Sequence, residues 1–268
     1  MQKMKFWKLS GAGNDFILIT GGRLKTAALK RAAVKLCGRK LAVGADGLLW
    51  VNRAGGNAVS VRYFNSDGSE AFCGNGSRCA AWWAWNAGLV KGRRFALSTI
   101  AGELAAEIAG RESVKMRMPD VAECRLNLPG RYPGGVRAVH FLNTGVPHAV
   151  VPVGGLERLD VDQLGRALRH NRAFGRAGAN VDFTAVAGGR VRVRTYERGV
   201  EGETLACGTG LTAAAVALTL AGQVKPPVRL TAGSGEEFKV WLKPAAGGAS
   251  EIYIQGPART VFSGEISC

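Results

Sequence analysis

The sequence predicts an α+β protein built from two pseudo-symmetric domains, and three observations support this fold class. The motif Cys73-Gly74-Asn75-Gly76 returns 134 positions later as Cys207-Gly208-Thr209-Gly210, and 134 is half of the 268-residue chain. Glycines and helix ends elsewhere repeat at the same spacing, as two copies of one folding unit would require. Each motif also precedes an apolar helical segment flanked by strand patterns. We therefore expect the sheet of each half to wrap around its own helix.

The first half, residues 1–118, opens with a strand, a glycine turn and a second strand. Thr26 is predicted to cap a helix that continues to about Leu36. A helix over residues 77–87 follows the cysteine motif, and Gly88 ends it in the left-handed conformation. The strands are predicted at residues 5–9, 16–20, 47–51, 57–64, 95–99, 103–109 and 113–118.

The second half, residues 136–268, repeats this order after a proline- and glycine-rich linker at residues 119–135. Asp160 is predicted to cap a helix over residues 161–169, and Gly222 ends the helix over residues 211–221. The strands are predicted at residues 137–142, 149–153, 181–186, 190–196, 228–231, 238–242 and 251–254. The C-terminal tail is expected to return as a further strand, which could pack on the first half.

The formal charge of +16 does not by itself indicate a nucleic-acid partner. Lysine and arginine are spread over the whole sequence, and no nucleic-acid-binding motif accompanies them. The alternation of arginine with valine at residues 190–194 is typical of a strand with one solvated face. No apolar run approaches the roughly 20 residues of a membrane helix, and the N-terminus lacks an export-signal pattern. We therefore expect a cytoplasmic protein that binds neither nucleic acid nor membrane.

The six cysteines indicate neither a metal site nor a disulfide framework, because no CxxC pair or suitably spaced histidine accompanies them. Cys37, Cys79, Cys124 and Cys268 are predicted to fill space or to lie at the surface. Nor is a cofactor expected: the segment Gly11-Ala12-Gly13 lacks the third glycine and the following helix of a dinucleotide site. Nothing in the sequence suggests a pyridoxal phosphate or flavin site.

The two cysteine motifs indicate acid–base chemistry. A cysteine at the start of a helix lies among unpaired N–H groups at the positive end of the dipole, which lowers a thiol pKa from about 8.5. The same N–H groups can bind a carboxylate. Inversion of a carbon next to a carboxylate needs a base on one face and an acid on the other, and a thiolate and a thiol can exchange these roles.

At these residues the chain resembles the diaminopimelate epimerase family of cofactor-independent amino-acid epimerases. The matching motifs are GAGNDF at 11–16, GADG at 44–47, FNSDGSEAFCGNGSR at 64–78, GVPH at 145–148, GAN at 178–180 and YERGVEGETLACGTG at 196–210. The resemblance implies two domains, each a β-barrel-like sheet wrapped around a central helix, with the active site between them. It also implies interconversion of LL- and meso-diaminopimelate in lysine and peptidoglycan synthesis, and a possible homodimer.

By this resemblance Cys73 and Cys207 are the catalytic acid and base, while His148 and Glu197 help to set their protonation. The substrate-binding residues that it implies are Asn14, Asn65, Gly74, Asn75, Asn180, Glu197, Arg198, Gly208 and Thr209. Three departures from the common family pattern concern the substrate more than the reaction. These departures are Val146 in place of Asn, Gly47 in place of Gln, and a one-residue lengthening at Val200-Glu201.

Three other interpretations remain open at the level of sequence. The first is another two-cysteine racemase or epimerase on the same fold, acting on an amino acid such as histidine or hydroxyproline. The second is a non-catalytic protein that binds anions or nucleic acid through its positive charge. The third is a dithiol redox protein, which would need the Cα atoms of Cys73 and Cys207 within about 7 Å.

Overall fold

The computed structural model describes residues 3–267, except for the side chain of Ser267, and within that range the chain forms four α-helices and 18 strands. The helices are α1 Thr26–Cys37, α2 Gly74–Asn86, α3 Val161–Arg169 and α4 Gly208–Leu220. The strands are β1 Lys3–Gly11, β2 Asn14–Thr20, β3 Gly47–Arg53, β4 Ala58–Asn65, β5 Glu70–Ala71, β6 Arg94–Thr99, β7 Gly102–Gly110, β8 Ser113–Arg117, β9 Cys124–Arg125, β10 His140–Asn143, β11 Pro147–Pro152, β12 Asn180–Ala187, β13 Arg190–Glu197, β14 Gly202–Thr204, β15 Val228–Thr231, β16 Glu237–Ala245, β17 Gly248–Pro257 and β18 Arg259–Ser267. In residues 3–267 no helix has the length and apolar character needed to cross a membrane.

The duplication predicted from the cysteine motifs is visible in the strand order. In the first unit the strands pair in the order β18, β1, β2, β3, β4, β6, β7 and β8, and β5 pairs with β4. In the second unit the order is β9, β10, β11, β12, β13, β15, β16 and β17, and β14 pairs with β13. The parallel pairs fall at equivalent places: β2 with β3 and β4 with β6 in the first unit, and β11 with β12 and β13 with β15 in the second. The α+β class and the repeated unit are thus confirmed.

The boundaries of the two units differ from the predicted ones. The first unit is discontinuous: it extends to Met116 and also includes the chain from Gly256 onward. The second unit consists of Arg117–Gln255. The tail joins the first unit because β18 pairs along nearly the whole length of β1. The segment predicted as a linker lies in the second unit, where β9 pairs with β10 and Leu128 N–H donates to Val139 O at 2.7 Å.

The sheet of the first unit is covered by helices on both faces around β2. Phe16 and Leu18 pack in the same cluster as the buried residues of α2, whereas Ile17 and Ile19 pack with Leu29, Ala33 and Leu36 of α1. Successive strand residues point to opposite faces, so a fully apolar strand such as β2 serves two helices at once. The α2 helix contacts β1, β2, β3, β4, β7 and β18, which makes it the central helix of this unit.

The second unit repeats this arrangement with polar residues on one face. Val181 and Phe183 of β12 pack with α3, together with Ala149 and Val151 of β11. The alternating residues of these strands therefore point toward α4, which contacts β10, β11, β12, β13, β15 and β16. The α4 helix is buried without interruption over residues 210–218, as its apolar sequence predicted. The side chains that share this space include His148 and Asp182, both completely buried.

Three of the predicted helix caps are confirmed and one is wrong. Asp160 caps α3 by accepting from Gln163 N–H at 2.9 Å, and Gly88 and Gly222 follow α2 and α4 with φ of 68° and 72°. Thr26 does not cap α1: Lys25 is the N-cap residue, and the Thr26 hydroxyl accepts from Arg62 at 2.9 Å instead. The contact between Thr26 and Arg62 joins residues 36 positions apart, so local sequence propensity could not predict it.

The arginines of β13 behave as the alternation predicted. The valines at 191 and 193 are buried, while Arg190 and Arg192 are exposed and pair with Glu237 and Glu157. Arg194 forms a two-pronged ion pair with Glu203, at 2.7 Å for each nitrogen. This group of positive charges is therefore neutralised locally on a solvated strand face.

Candidate active site

Each cysteine of the repeated motif is the N-cap residue of the central helix in its own unit. The α2 and α4 helices begin at Gly74 and Gly208, three residues earlier than predicted, so the glycines form the first helical turn. Cys73 is partly exposed, and its Sγ accepts from Gly76 N–H at 3.3 Å. Cys207 is only 9% exposed, and its Sγ lies 3.2 Å from the Thr209 hydroxyl. The two thiols thus have equivalent backbone positions but different surroundings.

In the first unit Asn14 and Asn75 meet beside Cys73. Asn14 is the first residue of β2, and Asn75 lies in the first turn of α2. Asn75 Nδ2 donates to Asn14 Oδ1 at 2.7 Å, and Asn14 Nδ2 donates to Asp46 Oδ2 at 2.9 Å. Two amides predicted to bind substrate are therefore held in a single hydrogen-bonded arrangement.

Asn65 occupies a different environment, at the end of β4. Its side-chain Nδ2 donates to the Ser69 hydroxyl at 2.9 Å, and its backbone N–H donates to Ser69 O at 2.9 Å. Its amide donor thus stabilises the turn between β4 and β5, which precedes Cys73. A role in substrate binding remains a prediction for this residue.

In the second unit a histidine and a carboxylate form a buried pair. His148 Nδ1 lies 2.7 Å from Asp182 Oδ2, and both side chains have no exposed surface. Asp182 Oδ1 accepts from the Thr195 hydroxyl at 2.8 Å. A carboxylate can only accept, so Asp182 fixes the Nδ1–H tautomer of His148 and leaves Nε2 as the other functional atom of the ring.

Asn180 connects this pair to the loop that contains Arg198. Its Nδ2 donates to Pro147 O at 3.2 Å and lies 3.5 Å from His148 Nε2, while its Oδ1 accepts from Arg198 N–H at 2.8 Å. His148 and Asn180 are direct partners in the parallel pairing of β11 with β12. The structure thus brings His148, Asn180, Glu197 and Arg198 to one end of neighbouring strands.

The structure corrects the expectation that both thiols are acidified. Burial raises the pKa of the Cys207 thiol, and the negative charges of Glu197 and Asp182 raise it further. The Thr209 hydroxyl acts in the opposite direction but does not compensate. The prediction from sequence considered only the N–H groups and the dipole at the helix start, which lower a thiol pKa. Burial and the two carboxylates raise the pKa of Cys207 by more than these groups lower it.

Gly210 is required by the position of Asp182. A β-carbon at this position would overlap Asp182 Oδ1 and come within 3.3 Å of the Thr195 hydroxyl oxygen. Gly76, the equivalent residue of α2, would instead meet Leu49 at 3.2 Å. The fourth residue of each motif is therefore glycine because a strand side chain packs directly against the first helical turn.

Two of the three departures from the family pattern have a structural reason. At Gly47 a side chain would overlap the Tyr63 ring and Phe64 O, so the aromatic ring fills the space of a longer residue. The lengthened loop turns at Glu201, which has φ of 58° and pairs with Arg169 at 2.9 Å. Val146 is partly exposed in the loop between β10 and β11, and nothing in the structure explains its choice.

Sequence reasoning missed Asp182, Thr195 and Asp46 as members of the site. Asp182 could have been found, because it follows Asn180 by two residues and so faces the same side of a strand. Thr195 is its direct cross-strand partner, which requires knowledge of the pairing of β12 with β13. Asp46 lies in the quoted GADG motif, but the sequence does not show that it binds Asn14.

The remaining cysteines fit a structural role. Cys37, Cys79 and Cys124 are buried thiols, and burial raises the pKa of both Cys37 and Cys124 to about 11. Thiols of this kind are poor nucleophiles at neutral pH. Cys268 lies outside the described residues.

Comparison with solved structures defines the fold class of this chain. A PhzF-family phenazine biosynthesis protein from Bacillus anthracis has a TM-score of 0.79 at 16% identity, over 100% of both chains. A hydroxyproline epimerase from Agrobacterium vitis has a TM-score of 0.70 at 20% identity, over 99% of this chain and 91% of that one. These likenesses place the chain in the two-domain fold that PhzF proteins share with amino-acid racemases and epimerases.

Sequence comparison narrows the class to a family. The profile described as diaminopimelate epimerase matches residues 6–122 and 140–261. A diaminopimelate epimerase from Aquifex aeolicus is 42% identical over 98% of this chain and 98% of its own length. Another, from Hydrogenobaculum sp., is 37% identical over 98% and 99%. The chain belongs to the diaminopimelate epimerase family.

Proposed function

We propose that this protein interconverts LL- and meso-diaminopimelate by moving a proton at one α-carbon without a cofactor. The observation that carries this proposal is that each unit presents one cysteine as the N-cap of its buried central helix, in a chain of this family. A lone structural thiol needs neither a glycine-rich first turn nor a second copy.

The reaction assigns complementary roles to Cys73 and Cys207. The thiolate of one takes the α-proton and becomes a thiol, while the electron pair of the broken C–H bond stays on the substrate as a carbanion. The thiol of the other then gives its proton to the opposite face of that carbon and becomes a thiolate. The first-turn N–H groups at Gly74-Asn75 and Gly208-Thr209 are suited to bind the α-carboxylate and to stabilise the carbanion.

His148 and Glu197 set the protonation of the thiols in this proposal. Burial and, after it, the charge of Glu197 raise the pKa of Cys207, which keeps that thiol protonated when it has to act as the acid. His148 has its tautomer fixed by Asp182, which makes Asp182 a positioning residue for it. The remaining predicted substrate contacts are Asn14, Asn65 and Asn180, with Arg198 as a carboxylate partner.

The direct experiment is to incubate the purified chain with LL-diaminopimelate and to separate LL from meso product by chiral chromatography. Histidine and hydroxyproline are tested as alternative substrates by measuring deuterium wash-in at Cα. We expect turnover of diaminopimelate, which Cys73→Ser and Cys207→Ser both abolish. Turnover of another amino acid with none of diaminopimelate would assign the protein to a different racemase activity. Normal activity in either serine variant would contradict the roles of the thiols.

Two further proposals rest on sequence and family. We propose that the protein acts in the cytoplasm, where its thiols stay reduced, and that it forms a homodimer. It would bind neither nucleic acid nor membrane. Light scattering coupled to gel filtration tests the oligomeric state, and a single species with the 28.2 kDa mass of one chain would contradict the dimer.

A further inference from the structure

A chain of three hydrogen bonds crosses the first unit from a buried guanidinium to a carboxylate. Arg78 donates to Asn75 Oδ1 at 2.6 Å, Asn75 Nδ2 donates to Asn14 Oδ1 at 2.7 Å, and Asn14 Nδ2 donates to Asp46 Oδ2 at 2.9 Å. We call Arg78, Asn75, Asn14 and Asp46 the amide relay. Every bond of the relay runs in the same direction, so each one polarises the next.

The charges at its two ends determine how the asparagines are oriented. A guanidinium can only donate and a carboxylate can only accept, so reversing either amide would set donor against donor or acceptor against acceptor. Arg78 is completely buried and Asn75 is 5% exposed, so a mismatch between them could not be relieved by water. The relay therefore fixes which atom each asparagine presents to its surroundings.

Asp46 is itself held in place by a charge cluster. Asp15 and Asp46 each accept the backbone N–H of the other, at 3.0 and 3.1 Å, and Arg39 bridges the two carboxylates at 2.7 and 2.8 Å. The buried Lys8 ammonium lies 2.7 Å from Asp15. These contacts join the ends of β1 and β2 to the loop before β3, so the carboxylate end of the relay has little freedom.

We propose that Asp46 is a positioning residue, which orients the amide of Asn14 and, through it, that of Asn75 for a carboxylate-bearing substrate. The identity of that substrate rests on the proposed function, whereas the relay is a property of the first unit alone. Asp46 acts through Asn14 and does not itself have to touch the substrate.

The test compares truncation of Asp46 with its conservative replacement. Asp46→Ala removes the acceptor of Asn14, and we expect KM for LL-diaminopimelate to rise about tenfold while kcat changes less than about threefold. Asp46→Asn keeps an oxygen for Asn14 and turns its NH2 toward Arg39, whose side chain is 60% exposed and can move away. KM should then rise only about two- to threefold. If the effect on KM came only from loss of the Arg39 ion pair, Asp46→Ala and Asp46→Asn would raise KM equally, which would overturn the proposal.

Glu107 supplies matched controls, because its side chain is 36% exposed like that of Asp46 and pairs with Arg94. Glu107→Ala and Glu107→Gln should leave KM within about twofold of wild type. A double-mutant cycle adds the specific test: in an Asn14→Ala background, Asp46→Ala should raise KM no further. An equal increase in both backgrounds would overturn the proposal. Should Asp46→Ala fail to fold, Asp46→Ser replaces it, since its hydroxyl is too short to reach Asn14.

A measurement without substrate separates the relay from the proposed function. In ¹⁵N–¹H spectra the side-chain amide signals of Asn14 and Asn75 should shift in Asp46→Ala and stay near their wild-type positions in Glu107→Ala. Unchanged signals in Asp46→Ala would overturn the relay, whatever the activity. Shifted signals in an enzyme that does not turn over diaminopimelate would retain the relay and reject the proposed substrate.

Discussion

Replacement of Asp182 by asparagine tests the buried histidine–carboxylate pair. The carboxylate accepts from His148 at 2.7 Å and from Thr195 at 2.8 Å, with no exposed surface on either member of the pair. Asparagine can still accept from His148 Nδ1–H, and the Thr195 hydroxyl can rotate to accept from its NH2. The variant should therefore fold, but it loses the charge of the hydrogen bond to His148, worth about 1.5–3 kcal/mol. We expect kcat/KM to fall about tenfold to a hundredfold.

The same substitution should also make Cys207 more acidic, because one of the two charges that raise its pKa is removed. The assay combines the pH profile of kcat/KM with the rate of iodoacetamide labelling at Cys207, which should increase. Asp162→Asn is the control, since Asp162 is an exposed aspartate of the same unit that accepts Glu203 N–H at 2.7 Å. If Asp182→Asn kept wild-type kcat/KM at every pH, the assigned role of Asp182 would be refuted.

Three further predictions follow. Gly210→Ala places a β-carbon where the buried carboxylate lies, and it should lower both the melting temperature and kcat/KM; an unchanged melting temperature would contradict that packing. Iodoacetamide at pH 8 should label Cys73 before Cys207, because Cys207 is only 9% exposed and has a raised pKa. Peptide mass mapping measures the order of labelling, and faster labelling of Cys207 would contradict this prediction. Burial tends to raise the pKa of Asp15, but Arg39 and Lys8 outweigh it and hold that pKa below its usual value. This stabilisation is present above the unfolded pKa, near 4, and is lost as the pH falls through the folded value. Arg39→Ala should thus move the acid-unfolding midpoint, followed by circular dichroism, to higher pH, and an unmoved midpoint would exclude this contribution.

The sequence predicted the duplicated fold well because glycines, helix ends and the cysteine motif are local constraints that repeat. The start of each central helix was placed three residues late, since Gly74 and Gly208 are poor helix formers in isolation. In the structure the surrounding sheet, rather than intrinsic propensity, holds these first turns in place.

Long-range contacts could not be read from the sequence in the same way. The link from Asp46 to Asn14 spans 32 positions, and that from His148 to Asp182 spans 34. The acidity of Cys207 was misjudged for a related reason, because its burial depends on how strands far along the chain pack against α4. The candidate residues that could be named in advance are those within the motifs, while their supporting partners emerge only from the pairing of strands.

The proposed function requires that two thiols, one from each duplicated unit, handle the proton on opposite faces of one carbon. Its most direct test is epimerisation of LL-diaminopimelate in D₂O, with deuterium measured in product and in recovered substrate at a few per cent conversion. Two bases predict deuterium at the inverted carbon of the meso product and almost none in the remaining LL substrate. Equal deuterium in both pools, or a product that retains the original hydrogen, would show a single base and contradict the claim.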